Sequence, residues 1–329
     1  MKKLIGLVLI IYLLSEHSAS AKIVETNQTY TYEQLNQDIS EIKDKFEDVV
    51  EVKSIGQSEF GREIWAARLG KGKKTIVLIG SHHGREWMTT MLLMKMLETY
   101  ADAYDNQGKV GPELTQILDQ VSIWFVPMLN PDGVTIQQNQ LNSFPLQHQK
   151  RLVKMNGGRM NFEGWKANGK GVDLNRQYPA DWDKLITNTR EPYYKFFKGK
   201  KPLEAAEVKA LTKFIAEINP AIAAAYHSAG REIFWSYKNG FFYLRDYLIA
   251  RKISHLTGYR LANPDKEATG GGFTDWFITK YRRPALTIEI SYLVGETNPP
   301  ISVFKSEWKR NQYVGLKLAQ AAQRIFLTE

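Results

Sequence analysis

The run Thr75-Ile76-Val77-Leu78-Ile79-Gly80 constrains this chain more than any other stretch. It is unbroken, mostly β-branched and without polar alternation, so it reads as a strand buried on both faces. Such a strand needs a layer of helix above and below the sheet that contains it. The flanking sequence supplies both. Trp87 to Tyr104 has a helical pattern, and the strand-type run Val121 to Val126 follows. A helix is expected around Pro202 to Glu217, with its proline near the first turn, where proline is tolerated. Strands are expected at Ala221 to Ala225 and Ala285 to Ser291, and a closing helix at about Ser306 to Ile325. Upstream, Leu35, Ile39, Ile42 and Phe46 mark one face of a helix over Thr31 to Phe46. Val49 to Ile55 and Glu63 to Leu69 read as strands joined by a polar turn around Gly56 and Gly61. Strands separated by helices predict an α/β layered domain with a largely parallel inner sheet. Gly133 to Asp173 is polar, rich in Gly and Asn and weakly periodic. It reads as a long loop of the kind that builds specificity.

The N-terminus has a separate purpose. Lys2 and Lys3 precede an apolar run from Leu4 to Leu14, and Ala19-Ser20-Ala21 closes it. A basic start, a short apolar segment and an Ala-x-Ala end form a secretory signal peptide, cut after Ala21. The apolar run is short for a span of about 20 residues. The expectation is therefore export, with residues 1–21 removed, residues 22–329 forming one domain, and no stable membrane span after cleavage. The net charge of +9 comes from scattered basic residues, so it implies no nucleic-acid footprint. It does lean toward anionic surroundings.

The chain has no cysteine. That excludes disulfide scaffolds, thiolate metal sites and cysteine nucleophiles, and leaves His and carboxylate to hold any metal. Beyond His17, the histidines are His82, His83, His148, His227 and His255. His83 and Glu86 stand at i and i+3 just after the Ile76–Ile79 strand, on one face of a turn or opening helix. His227 follows the Ala221–Ala225 strand. Sites in α/β sheets collect at such strand ends. Two His and one Glu form a recognised catalytic zinc set. Spacing alone also allows His82 with Glu86 at i,i+4, or histidines that merely pack. Asn130-Pro131-Asp132-Gly133 could be a turn. Asn175-Arg176 sets an amide beside a guanidinium fork suited to a carboxylate. Glu289 lies between apolar neighbours in Leu286-Thr287-Ile288-Glu289-Ile290. A carboxylate in such a strand needs a partner or a function. Near a metal it could be the general base.

Taken in order, Ser81-His82-His83-Gly84-Arg85-Glu86-Trp87, Asn130-Pro131-Asp132-Gly133, Gly171-Val172-Asp173-Leu174-Asn175-Arg176, Tyr226-His227-Ser228, Gly271-Gly272-Phe273-Thr274-Asp275-Trp276 and Thr287-Ile288-Glu289 resemble the zinc carboxypeptidase family, peptidase family M14. The ordered set covers essentially the whole mature chain. The resemblance implies a mixed, twisted eight-stranded sheet between helices. It implies one Zn2+ per chain on His83, Glu86 and His227, which selects His83 over His82. It implies Glu289 as general base and proton carrier, Arg85 beside the metal, and Asn175 and Arg176 gripping a substrate carboxylate.

Two positions depart from the digestive members. Lys166, in Trp165-Lys166-Ala167-Asn168, stands where an arginine polarises the scissile carbonyl, and Glu267 aligns roughly with the substrate-capping tyrosine. Neither is a neutral replacement. The approach to Asn175-Arg176 is instead similar to the bacterial branch that cuts peptidoglycan stem peptides between γ-D-glutamate and meso-diaminopimelate. In that reading Lys166 assists at the carbonyl. The loop Thr269–Asp275 lines the pocket of the leaving residue, with neutral Thr274 at the usual specificity position. The alternative is a secreted zinc metallocarboxypeptidase trimming ordinary α-linked peptides. The expected partners are stem peptides or other peptides, with no nucleic acid. The expected state is a monomer, secreted or associated with the cell wall.

Overall fold

The computed structural model describes residues 22–186, 189–263 and 269–325. The export segment 1–21 and Glu267 lie outside the described residues. In chain order the elements are α1 (Tyr32–Lys45), β1 (Val50–Gln57), β2 (Glu63–Leu69), β3 (Lys74–Ile79), α2 (Met88–Asp105), the short pair β4 (Lys109–Val110) and β5 (Glu113–Leu114), β6 (Val121–Val126), α3 (Pro131–Gln137), α4 (Leu146–Met155) and α5 (Ala206–Ile218). They continue with β7 (Ile222–Ser228), β8 (Glu232–Phe234), α6 (Tyr243–Thr257), β9 (Arg260–Ala262), α7 (Phe273–Tyr281), β10 (Ala285–Ile290), α8 (Phe304–Asn311) and α9 (Val314–Gln323).

Eight strands form one mixed sheet in the order β1-β2-β6-β3-β7-β10-β8-β9. The four central strands, β6-β3-β7-β10, run parallel. The expected parallel inner sheet is this middle, within the expected mixed eight-stranded sheet. β1, β2 and β6 pair antiparallel at one side, and β8 runs antiparallel to β10 at the other.

Successive side chains of a strand point to opposite faces, and β3 feeds two cores accordingly. Ile76 and Leu78 pack with buried residues of α1, α2, α6, α8 and α9. Val77 and Ile79 pack with α5 and α7. On β7, Ala223 and Ala225 belong to the α5–α7 core. His227, next in that parity, therefore emerges on the same face at the strand's C-terminal end.

Three expectations change. The helix expected from Pro202 starts at Ala206, because Leu203 takes a left-handed φ of +56° and Ala205 is extended. The closing helix is two helices. The Tyr100 hydroxyl donates to the Gln312 carbonyl at 2.8 Å, occupying an acceptor at the break between α8 and α9. The long segment from Gly133 holds α3 and α4. The Asn130 side chain accepts from Gly133 N at 2.9 Å and Pro131 opens the helix, so Pro-Asp-Gly is a capped helix start, not a turn. Phe144, Leu152, Phe162 and Trp165 then close a small satellite core. Among the described residues, no helix is long and apolar enough to cross a membrane.

Candidate active site

The turn after β3 makes the first half of the site. Ser81 takes a left-handed φ of +47°, and its amide donates to Thr89 Oγ1 at 2.8 Å. His83 and Glu86 then face the C-terminal end of β7. His83 Nδ1 lies 2.8 Å from Glu86 Oε1, His227 Nδ1 2.9 Å from Glu86 Oε2, and the two Nδ1 atoms 3.2 Å apart. All three residues are buried, and a ligand atom from each lies within 4.8 Å of the others. His82, left open by spacing, turns away. Its Nε2 meets the Tyr178 hydroxyl at 3.2 Å, and its buried ring stacks beside His227. Burial first, then His227 and His83, hold its pKa well below the ordinary value, so it stays neutral.

The donor set fits zinc. Two imidazole nitrogens and one carboxylate converge without a thiolate, the ligand chemistry of catalytic rather than structural zinc. The far side of His83 carries the support such ligands need. His83 Nε2 donates to Asp173 Oδ1 at 3.1 Å, which leaves the Nδ1 lone pair for the cluster. Burial would raise the pKa of Asp173, but Lys166, His83 and Arg176 outweigh it and hold the carboxyl well below its usual range. The same balance applies to Glu86, where His83 and His227 overcome burial.

Asp173 is the residue that sequence reasoning missed. It was legible only as part of a motif, yet it organises several others. Lys166 Nζ lies 3.0 Å from its Oδ2 and Arg176 Nε 3.6 Å. Its one available signal, an acid between Val172 and Leu174, matches the signal that marked Glu289.

Lys166 reaches the site through tertiary contacts. Asn130 Nδ2 donates to the carbonyls of His82 and Ala167, both at 3.1 Å, and Gly84 N donates to the Lys166 carbonyl at 3.1 Å. The loops approach so closely that a Cβ on Gly84 would come within 2.3 Å of the Gly133 carbonyl oxygen. Only glycine fits there.

The cluster opens into a cleft of about 540 Å³. Arg85, Lys166, Asn175, Arg176, Thr274 and Glu289 all line it, beside the three clustered residues. Asn175 Oδ1 accepts from Phe273 N at 2.9 Å, which leaves its amide nitrogen as a donor. Arg85 Nη1, Arg176 Nε and Ser228 Oγ are buried and find no hydrogen-bond partner among the described residues. The two guanidinium donors reach only ion-pair partners beyond hydrogen-bond range, Asp173 at 3.6 Å and Glu296 at 3.7 Å, so a ligand can still complete them. Thr274 is less available, since its hydroxyl and that of Thr287 are 2.7 Å apart. Three further carboxylates line the cleft, Glu232, Asp275 and Glu296. Glu232 gave no sequence signal, because β8 is short.

Glu289 lies opposite Glu232 and beside His227. Its pKa is pushed up to about 7, by burial first and then by Glu86, while His227 and Lys166 act in the other direction. A carboxyl that titrates near neutrality can both take and return a proton.

Residues 35–314 match the zinc carboxypeptidase family profile. The chain is 32% identical over 304 residues to gamma-D-glutamyl-L-diamino acid endopeptidase 1 of Lysinibacillus sphaericus, covering 91% of this chain and 74% of that protein. Among solved structures, thrombin activatable fibrinolysis inhibitor superposes with a TM-score of 0.72 at 17% identity, over 94% of this chain and 79% of that one. Carboxypeptidase A from Helicoverpa armigera gives a TM-score of 0.69 at 19% identity, over 93% and 77%. At these identities the two structures speak for the fold alone.

Proposed function

This chain belongs to the zinc carboxypeptidase family, peptidase family M14, and from that membership we propose that it hydrolyses the γ-D-glutamyl–meso-diaminopimelate bond of peptidoglycan stem peptides. The observation that carries this reading is its similarity, over nearly its whole length, to a relative named for a γ-D-glutamyl–diamino acid bond. The export segment read at residues 1–21 fits a substrate outside the cell.

His83 Nδ1, Glu86 and His227 Nδ1 would hold one zinc ion. The chemistry that zinc supplies in such a site is Lewis acidity toward a carbonyl oxygen and acidification of water. The chain's own groups do the rest. Glu289 accepts a proton from the attacking water at a carboxylate oxygen. As the C–N bond breaks, it returns that proton to the nitrogen of the departing amine, so water is consumed and a carboxyl and an amine are released. Lys166, on the cleft wall, offers positive charge near the oxygen that becomes negative. Arg176 and the Asn175 amide orient a carboxylate of the departing residue, and Arg85 assists beside the metal ligands. Asp173 fixes the His83 ring and keeps Lys166 and Arg176 in place. Thr274 contributes a neutral wall. Glu267, at the position of the family's capping tyrosine in the sequence, is proposed to contact substrate.

Product analysis tests the reading. Zinc-loaded enzyme should convert L-Ala-γ-D-Glu-meso-diaminopimelate to L-Ala-D-Glu and free diaminopimelate, detected by mass spectrometry. An α-linked peptide ending in Phe or Lys should be a poor substrate. Efficient trimming of the α-linked peptide with the γ-D-glutamyl bond untouched would replace the proposal with a general carboxypeptidase.

A further inference from the structure

Four ionisable side chains stand in one row across four neighbouring strands. His227 on β7 is the register partner of Glu289 on β10, Glu289 of Glu232 on β8, and Glu232 of Arg260 on β9. Register partners project from the same face of a sheet. The row therefore runs from the metal cluster, along the face that carries the cleft, to the edge of the sheet.

The mechanism uses the first two members and leaves Glu232 and Arg260 without a task. Their placement has an electrostatic cost, since like charges directly opposite in adjacent strands are destabilising, and Glu232 faces Glu289. The Glu232 side chain lines the cleft and is 15% exposed, whereas that of Arg260, on the edge strand β9, is 73% exposed. Arg260 Nε donates to Glu232 Oε1 at 3.1 Å. An acid sits inside and a base outside, one strand spacing of about 4.8 Å further from the metal cluster at each step.

We propose that Glu232 and Arg260 form a subsite for the amino-acid head at the far end of the departing residue's side chain, Glu232 accepting from its ammonium and Arg260 donating to its carboxylate. This rests on the diaminopimelate reading above. Diaminopimelate carries such a head beyond three methylenes, and an ammonium with a carboxylate is the charge complement of a carboxylate with a guanidinium. Binding exchanges one internal ion pair for two charge-assisted contacts and buries no unpaired charge. A lysine in the same place offers the ammonium alone and leaves Arg260 with nothing to read. The subsite is distinct from Asn175 and Arg176, which take the carboxylate nearer the broken bond.

The test compares three tripeptides, L-Ala-γ-D-Glu followed by meso-diaminopimelate, L-lysine or L-norleucine, with the zinc-loaded full-length enzyme. R260Q should lower the diaminopimelate-to-lysine ratio of kcat/KM by about 10-fold, the worth of one charge-assisted hydrogen bond, and R260K should restore part of it. E232Q should lower the lysine-to-norleucine ratio by about the same factor. Calorimetry with free meso-diaminopimelate and free L-lysine gives a second readout, in which R260Q should weaken the first ligand and not the second. Cleavage by the wild type with both ratios unchanged in the variants overturns the subsite alone. A wild type that leaves all three γ-D-glutamyl bonds intact overturns the functional reading, and the subsite with it.

Discussion

Glu289 and His227 are direct register partners in two adjacent parallel strands, β10 and β7. A residue read as the proton carrier and a residue of the metal cluster are thus held side by side by backbone hydrogen bonds rather than by a loop. Groups on paired strands lose little freedom when substrate binds, which keeps reacting atoms aligned.

The metal assignment predicts one zinc per chain in the recombinant mature protein. His83→Ala and His227→Ala should each remove most of it, while His82→Ala, whose ring packs beside Tyr178 and His227, should retain it. Elemental analysis of the three variants decides this, and full zinc in both cluster variants would discard the ligand set.

Glu289→Gln separates metal binding from turnover. The side chain keeps its shape and stays outside the three-residue cluster, so zinc content should match the wild type. The loss in kcat should be at least about 10²-fold, the lower end for a positioned acid–base group. Near-normal kcat in the zinc-replete variant is the result that removes Glu289 from the mechanism.

Asp173→Asn tests the support behind His83. The carboxylate accepts a hydrogen bond from Nε2–H, which keeps the proton on Nε2 and so directs the Nδ1 lone pair toward the cluster. Without its charge, zinc affinity measured by competition with a chelator should fall by about 10–100-fold, the usual loss for such partners. Unchanged affinity would leave Asp173 with only a packing role.

Stability should fall with rising pH because of Glu207. It is fully buried at the start of α5, where its carboxyl accepts from Asn168 Nδ2 at 3.0 Å. Burial first, then Asp132, pushes its pKa up to about 8 from an ordinary 4.5. The native state therefore keeps a proton that the unfolded chain releases. This contribution is fully present below about pH 4.5 and is lost as pH rises through about 8. Within that window the slope approaches about 1.4 kcal/mol per pH unit. Urea unfolding of the wild type and Glu207→Gln at pH 5.5, 7 and 8.5 checks it: the gap between the two should shift in the variant's favour as pH rises. A constant gap would show that Glu207 does not hold its proton.

Much of the scaffold was legible from local pattern. β2 and β6 match the sequence reading to the residue, and β3 and β10 match within one, because alternating or unbroken apolar runs carry their own period. Thr31 caps α1 through Gln34 N at 3.1 Å, as a threonine ahead of an amphipathic run should. α3 and α4 escaped because they are short and their apolar residues divide between cores: Val134 joins the main core, while Ile136 and Leu152 pack with Phe162 and Trp165.

The sequence by itself determined which residue types could hold a metal, since a chain without cysteine must use histidine and carboxylate. It also determined that His83, Glu86, His227 and Glu289 lie at or near strand ends, because strand ends follow from local periodicity. Spacing left His82 and His83 open and the family resemblance chose His83, which the structure turns toward His227. Only the tertiary structure decided that Asp173 stands behind it and that Glu232 and Arg260 extend the row from Glu289. Those pairings join segments far apart in the chain. Strand order and register are set by packing of whole layers, and no local pattern of residues encodes them.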